Sequence, residues 1–550
     1  MLADRYIARR SGLRVGLGVA LAACILIAGF GTVADTAAGA TSVAGGTTQL
    51  AIVVPLVLPA GTTGLVPAAI LAEYTSASGI LTRELDAVLG RNVAVGIDPA
   101  ILASIRILGD AAPPSALAWL DRLATAKNDT FALGYSDSDL TLATQAGSAE
   151  VLAPRTFGFA VDVARFDVGG AGASPGVATP TKPPLPTTSS LLAWPYTING
   201  LAWPRENTVV ARDLATISSS GFTTTLLSSA NVRSELAGIG PVDIDGHRAI
   251  VTDDAVSVAY RAALNASSDA SWQAAVTRLR EVLGKADIRY STVVATPDRS
   301  SSWADGRFAQ TMDALSSDSG VAETLLSVAL SAPPTAALLV AMPHTAATVA
   351  GTEQLLAAEA AESEFATVAA DPTVITGARR VALLAVLSNQ AVAQEALWPG
   401  LAAGYLAQST KLLASVAVVS TSGVNLFADR ASLPITVSNS LNQAVTVFIT
   451  VRPDTGLLTV EDSRVRLDIE PNSQGKGLVP LQAISNGTVR VTVHLESTTR
   501  VAVGAPARIP INVQAGWETP IVVIMAGLVI LLFAGGLTRS IYRRRRAARE

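Results

Sequence analysis

Cysteine, histidine and charge are all scarce in this chain: its 550 residues include one Cys, three His and only 15% charged residues. A single cysteine cannot pair internally, which excludes a disulfide scaffold. The low charge, set against 49% hydrophobic residues and a mean hydropathy of +0.41, excludes a disordered chain. His247, His344 and His494 are isolated, with no HxxxH or HxH pair to seed a zinc site. The G-x-S-x-G elbow, the P-loop and the dinucleotide fingerprint are missing as well, so the common hydrolase, nucleotide and cofactor signals are absent and no cofactor is expected. By the usual size of a domain, a chain this long divides into three or four units.

What is present begins with two apolar segments. Val15 to Val33 carries no charge and follows Arg5, Arg9, Arg10 and Arg14, the basic and apolar regions of a secretory signal. Ala38-Gly39-Ala40 supplies small residues for cleavage, so residues 1–40 read as a signal peptide with a mature start near Thr41. The 19-residue run is also long enough to stay as a signal anchor. Leu21-Ala22-Ala23-Cys24 resembles a lipobox, but Ile25-Leu26-Ile27 is not the polar sequence that follows an acylated cysteine; Arg9-Arg10 lacks the surroundings of a twin-arginine motif.

At the other end, residues 520–537 carry no charge, follow Trp517, and precede Tyr542 and six arginines in the tail 538–550. This predicts a single transmembrane helix with a cytoplasmic C-terminus, by the positive-inside rule and the preference of Trp and Tyr for headgroups. A basic cluster touching a membrane span is a stop-transfer signal, so no nucleic-acid partner is expected. Between the two ends, residues 41–537 hold 30 basic and 41 acidic residues, a body of net charge −11. Net charge would not draw such a body to anionic polymers.

From residue 50 to about 415, short apolar runs alternate with helix-like segments, the pattern of an α/β fold with a parallel sheet. Expected strands are 51–58, 93–97, 130–133, 191–194, 223–227, 249–251, 292–295 and 337–341. About eight strands predict a (β/α) barrel-like domain over 41–420, with polar strand-end residues gathered at one face. The Gly/Pro/Ser-rich stretch 167–190 reads as an insertion. Residues 424–516 change to period-two alternation, as in Val445, Val447, Ile449 and Val451, which predicts roughly seven strands of an immunoglobulin-like sandwich without the cysteine pair. Asn486-Gly487 is a tight-turn signal within it. The fold class is thus multidomain: α/β, then all-β, then one C-terminal span.

The candidate binding face consists of Asp98, Tyr135, Asp137, Asp139, Trp194, Asp298 and Arg299, with Trp203 nearby in sequence terms. Two carboxylates and a phenol in Tyr135-Ser136-Asp137-Ser138-Asp139 suit acid and base work on a glycan, while the same turn suits the start of a helix at Leu140. Asp253-Asp254 is similar to the aspartate pair of polysaccharide deacetylases, but no histidine pair accompanies it, so capping of the next helix is expected and no metal.

Ile97-Asp98-Pro99, the run Leu133 to Leu140 ending at Ala146-Gly147, Trp194-Pro195, the terminal sandwich, the apolar helix and the poly-Arg tail together resemble an uncharacterised actinobacterial family of membrane-anchored envelope proteins. The 35 Arg against 5 Lys fit a high-GC genome. The resemblance spans nearly the whole chain and implies a deacetylase- or glycosidase-like barrel plus a β-sandwich. It also implies genes near a peptidoglycan lipid flippase, hence cell-wall biogenesis by association. The chain departs from the pattern at Gly134, where Pro is expected, and in the length of 167–190. Function is expected to be non-enzymatic: an extracytoplasmic, single-pass protein of the cell membrane that binds a cell-wall glycan or an envelope partner such as that flippase. A metal-independent glycan hydrolase using Asp137 or Asp139 is the alternative, and an adhesin or sensor ectodomain a third.

Overall fold

The computed structural model describes residues 47–167, 182–234, 240–285, 292–299, 303, 306–419, 423–426, 428, 430–513 and 518–547. The signal segment with Cys24, and Trp517 before the C-terminal helix, lie outside the described residues.

The first sheet is parallel and built around β1 (Thr48–Leu56), which pairs with β2 (Val93–Ile97) and, by its other edge, with Val293–Ala295 and Val321–Glu323; β2 in turn pairs with β3 (Thr130–Ala132). Both faces of β1 are buried, and the period of two sorts them. Leu50, Ile52, Val54 and Leu56 pack under the outer helices, while Ala51 and Val53 face an inner cluster with Ala94, Val294, Leu226 and Ile250. Small residues hold that inner face because a curled sheet leaves little room. A side chain at Gly96 would stand 2.7 Å from Leu133.

The second sheet runs Thr335–Ala336, β4 (Pro241–Ile244), β5 (His247–Thr252), Thr224–Ser228 and Leu201–Ala202. β4 and β5 are antiparallel, joined at Asp245-Gly246, both in the left-handed region. The two sheets curl towards each other as half-barrels. They share the inner cluster of Trp203, Leu226, Ile250, Val53 and Phe131, and are linked by Ile198 N–H to Thr130 O (2.9 Å) and Asp253 N–H to Val294 O (2.8 Å). Six of the eight expected strands are therefore shared between these two sheets, while within 337–341 Leu338–Leu339 pairs antiparallel with Val232–Arg233 in a separate two-stranded sheet. Residues 191–194 are not one of them: a Thr187/Ser190 capping box starts a helix, Thr188–Leu192, and the strand comes later at Leu201–Ala202. Within the 167–190 stretch, Asp167 N–H donates to Pro183 O at 2.7 Å.

Three long helices follow, α1 (Ala346–Phe365), α2 (Pro372–Val386) and α3 (Trp398–Leu413), with the short Asn389–Ala393 between the last two. Buried ion pairs lock them. Arg379 Nε donates to Glu362 Oε1 (2.8 Å), Tyr405 OH to Glu362 Oε2 (3.1 Å), and Arg380 makes two bonds to Glu359 (2.5 and 3.0 Å). Among the described residues, nine strands between Val416 and Val513 form a four-stranded and a five-stranded sheet over one apolar core. Asn486-Gly487 passes the chain from one sheet to the other instead of closing a hairpin, because the strands on either side of it belong to different sheets. The β region is fastened to the turn after α1: Ala370 N–H donates to Ala444 O (2.9 Å) and Thr498 Oγ1 to Thr367 O (3.1 Å). The last helix, Glu518–Ala547, contains Val522–Arg545, a stretch of mean hydropathy 2.2 that is long and apolar enough to cross a membrane.

Candidate functional site

Asp98 ends β2 and starts a helix, Pro99–Arg106, with Oδ1 accepting Ala100 N–H at 2.8 Å. The same oxygen accepts Ser136 N–H at 2.8 Å. That bond pulls the turn after β3 inward, where Ser136 (φ 56°) and Asp137 (φ 47°) both sit in the left-handed region. Non-glycine residues there cost about 1–3 kcal/mol each and persist only when the surroundings hold them. Tyr135 anchors the turn from one side, its OH donating to Gly64 O at 2.6 Å and its ring 5.5 Å from Phe157. Asp137 is ion-paired to Arg299, whose guanidinium also donates to Trp203 O and lies 4.1 Å above the Trp203 ring.

Asp139 accepts three bonds on Oδ1, from Thr141 N–H and Oγ1 (both 2.8 Å) and Leu142 N–H (3.2 Å), while its Oδ2 lies 3.2 Å from His344 Nε2. The helix after it is Leu142–Gln145, with Thr141 at its N-cap, two residues later than the expected start at Leu140. The Asp139 backbone N–H goes to Leu387 O (2.8 Å), Ser138 bridges Ser388, and Asn389 Nδ2 reaches Asp137 O (2.8 Å) and Oδ1 (3.2 Å). Gln390 completes the cover, donating to Leu58 O and accepting from Ala60 N–H. The segment after α2 thus closes the strand ends of the first sheet. Beneath it Asp98, Tyr135, Asp137 and Asp139 are between 0% and 4% exposed.

Four residues of the expected face are therefore buried together with Arg299, and the other two lie elsewhere. Trp194 stands 5.8 Å from the Arg106 guanidinium, and Asp298 is half-exposed beside Arg261 and Asn265. Asp253 caps the next helix through Val256 N–H (2.9 Å). Sequence reasoning set His344 aside as isolated and had no signal for Asn389. Among the described residues no set of three or more His, Cys, Asp or Glu is arranged to hold a metal ion.

Burial pushes Asp98 up to about 8, helped by the nearby Asp137, against the pull of its bonds from Ala100 and Ser136. Burial also raises Asp137, to about 6, with Arg299 and Asn389 restraining it. For Asp139 burial works upward too, but the bonds from His344 and Thr141 outweigh it and hold the carboxyl below its usual range. A carboxyl raised on folding binds its proton more tightly in the folded state. The stability that Asp98 and Asp137 contribute is thus complete below about pH 4 and is lost as pH rises through about 6 and then 8. We expect stability to fall between pH 6 and 8 with a slope of up to ~1.4 kcal/mol per pH unit from Asp98. Denaturant unfolding of Asp98→Asn should be flatter over that window; a slope equal to the parent's would refute the assignment.

Beside this sealed cluster a cleft of about 700 Å³ is open, lined among others by Arg205, Asn207, His344, Thr348, Glu395 and Trp398. His344 belongs to both, joining the buried Asp139 to the cleft wall.

No curated protein matches the chain. Among solved structures, Escherichia coli alpha-2-macroglobulin in its native conformation is 14% identical over 18% of this chain and 7% of its own length, with a TM-score of 0.16. SSP-19, an MSP-domain protein like family member in Caenorhabditis elegans, is 12% identical over 17% of this chain and 94% of its own, with a TM-score of 0.14. Neither score carries an argument about fold or activity. The model of a family of unknown function, DUF6049, matches residues 30–549, nearly the whole length, and the chain belongs to that family.

Proposed function

We propose that this is a non-enzymatic, single-pass membrane protein that binds a cell-wall glycan outside the cytoplasmic membrane, its two half-barrel sheets forming a distorted (β/α) barrel and its β region an immunoglobulin-like sandwich. The observation that carries the reading is the contrast between the sealed carboxylates and the open cleft next to them. Groups that would act as acid and base on a glycosidic bond must reach it, and Asp137 is covered by the chain's own Asn389. An open concave site with polar groups on an apolar lining suits ligand binding. The apolar C-terminal helix supports anchoring, with the arginine tail in the cytoplasm and the acidic body outside.

The test is retention of the full chain, in detergent, on purified cell wall and on membrane extract. Retention on cell wall is expected; retention on membrane extract alone would favour an envelope partner such as a lipid flippase, and retention on neither would overturn the reading. External protease on intact cells should remove the body and spare the tail. A hydrolase reading has one observation in its favour, the raised Asp98 and Asp137 side by side. It requires Leu387–Gln390 to lift away, and glycan cleavage lost in Asp137→Asn would be its signature.

A further inference from the structure

Arg205 lines the cleft and is partly buried; its carbonyl accepts from Thr208 Oγ1 (2.8 Å), but its guanidinium makes no hydrogen bond or ion pair among the described residues. A guanidinium taken partly out of water without a partner is poorly satisfied, and its planar fork matches an oxyanion. Its neighbour Glu206 does not neutralise it, being engaged by Arg261 and by Thr296 Oγ1 (2.9 Å).

A second group in the same cleft offers a further polar contact. His344 is 8% exposed, and its ring is fixed through Nε2, 3.2 Å from Asp139 Oδ2 and 3.0 Å from Thr141 Oγ1. Thr141 gives its own hydroxyl hydrogen to Asp139 Oδ1 (2.8 Å), and Asp139 is held in its ionised form, so the network assigns the ring proton to Nε2. Nδ1 has no partner among the described residues and is left to bond a ligand hydroxyl or amide. The cleft wall continues into the N-terminus of the 20-residue α1 through Thr345, Ala347 and Thr348; Thr345 Oγ1 caps Thr348 N–H (3.2 Å), and the helix dipole adds favourable potential for an anion.

A bare phosphate dianion fits this set badly. It would leave most of about 700 Å³ empty. We propose that the cleft binds a saccharide bearing a carboxylate, with the carboxylate on Arg205 and a ligand hydroxyl or amide on His344 Nδ1. This rests on the glycan-binding reading above and names the chemistry of its ligand.

The test uses the full chain in detergent and calorimetric titration with N-acetylmuramic acid, its methyl ester, N-acetylglucosamine and inorganic phosphate. The acid should bind, with the ester and the Arg205→Ala variant weaker by at least about tenfold, the loss of a charged bidentate contact. Arg205→Ala should fold normally, since the side chain touches no partner, and Arg205→Lys should fall between the two. Equal binding of acid and ester, no effect of Arg205→Ala, competition by phosphate at the same concentration as the acid, or no binding of the acid up to about 10 mM, beyond the millimolar range of weak association, would each overturn the proposal. If the parent and Arg205→Ala are retained equally on cell wall, the assignment of the site fails and the binding reading stands. If neither is retained and the acid does not bind, both fail.

Discussion

Arg299→Ala should destabilise the folded chain by about 3–5 kcal/mol, the cost of leaving a buried carboxylate without its counter-charge. Asp137 has a side chain only 3% exposed, and after loss of Arg299 its remaining restraint is Asn389. The arginine is also packed against the Trp203 ring and bonded to Trp203 O, so Arg299→Lys should not rescue it: a lysine lacks the planar fork that makes both contacts. Asp137→Asn in the same chain should restore a large part of the loss, because no charge is then stranded. The single variant should also recover some stability at acid pH, where Asp137 takes up a proton and its charge disappears. Urea unfolding of the two singles and the double gives the coupling directly. A cost below about 1 kcal/mol for Arg299→Ala, the range of an exposed pair, would mean that the strand ends are open to water.

Glu362→Ala is expected to cost a similar amount, about 3–5 kcal/mol, for a different reason. The carboxylate sits where α1, α2 and α3 meet, taking a bond from Arg379 and one from Tyr405 OH. Removing it strands the Arg379 guanidinium, 3.7 Å over the Tyr405 ring and otherwise bonded only to Tyr405 O and Gln408. Glu362→Gln should be milder, since an amide oxygen still accepts from Tyr405. The end of α1 leads into Ala366 and Val368, which belong to the core of the β region, so the damage should reach the α-helical and β parts together. A variant whose β region melts separately, at an unchanged midpoint, would show that the junction does not couple them.

How much of this was legible depends on sequence separation. Asp98-Pro99 announces a helix start by itself, and the helix is there because cap and proline act within two residues. The C-terminal helix is legible for the same reason: its signal is a continuous run. The period-two stretch from Val445 to Val451 identifies a strand with one buried face, and all four alternate residues are in the core. Leu191-Leu192-Ala193-Trp194 misled because a short apolar run has no period of its own, and the deciding residues, Thr187 and Ser190, stand before it and within it. The strand Pro241–Ile244 was missed although Asp245-Gly246 is a hairpin signal.

The site was half legible. Tyr135, Asp137, Asp139 and Arg299 could be singled out as polar groups after strands, since that rule is local. Their burial could not, because it comes from Leu387 to Gln390, about 250 residues further on, and nothing in that segment announces that it pairs with 137–139. His344 has the same difficulty: its partner Asp139 is remote in sequence, and an isolated histidine gives no sign of one.

The meeting of Asp167 with Pro183 has a practical side. Because Asp167 and Pro183 are already held together, doubling the number of residues between them costs only about 0.6 kcal/mol in closure entropy. The closed pair Asp167–Pro183 thus marks a place to graft an epitope or a fluorophore, by which the protein can be followed on living cells.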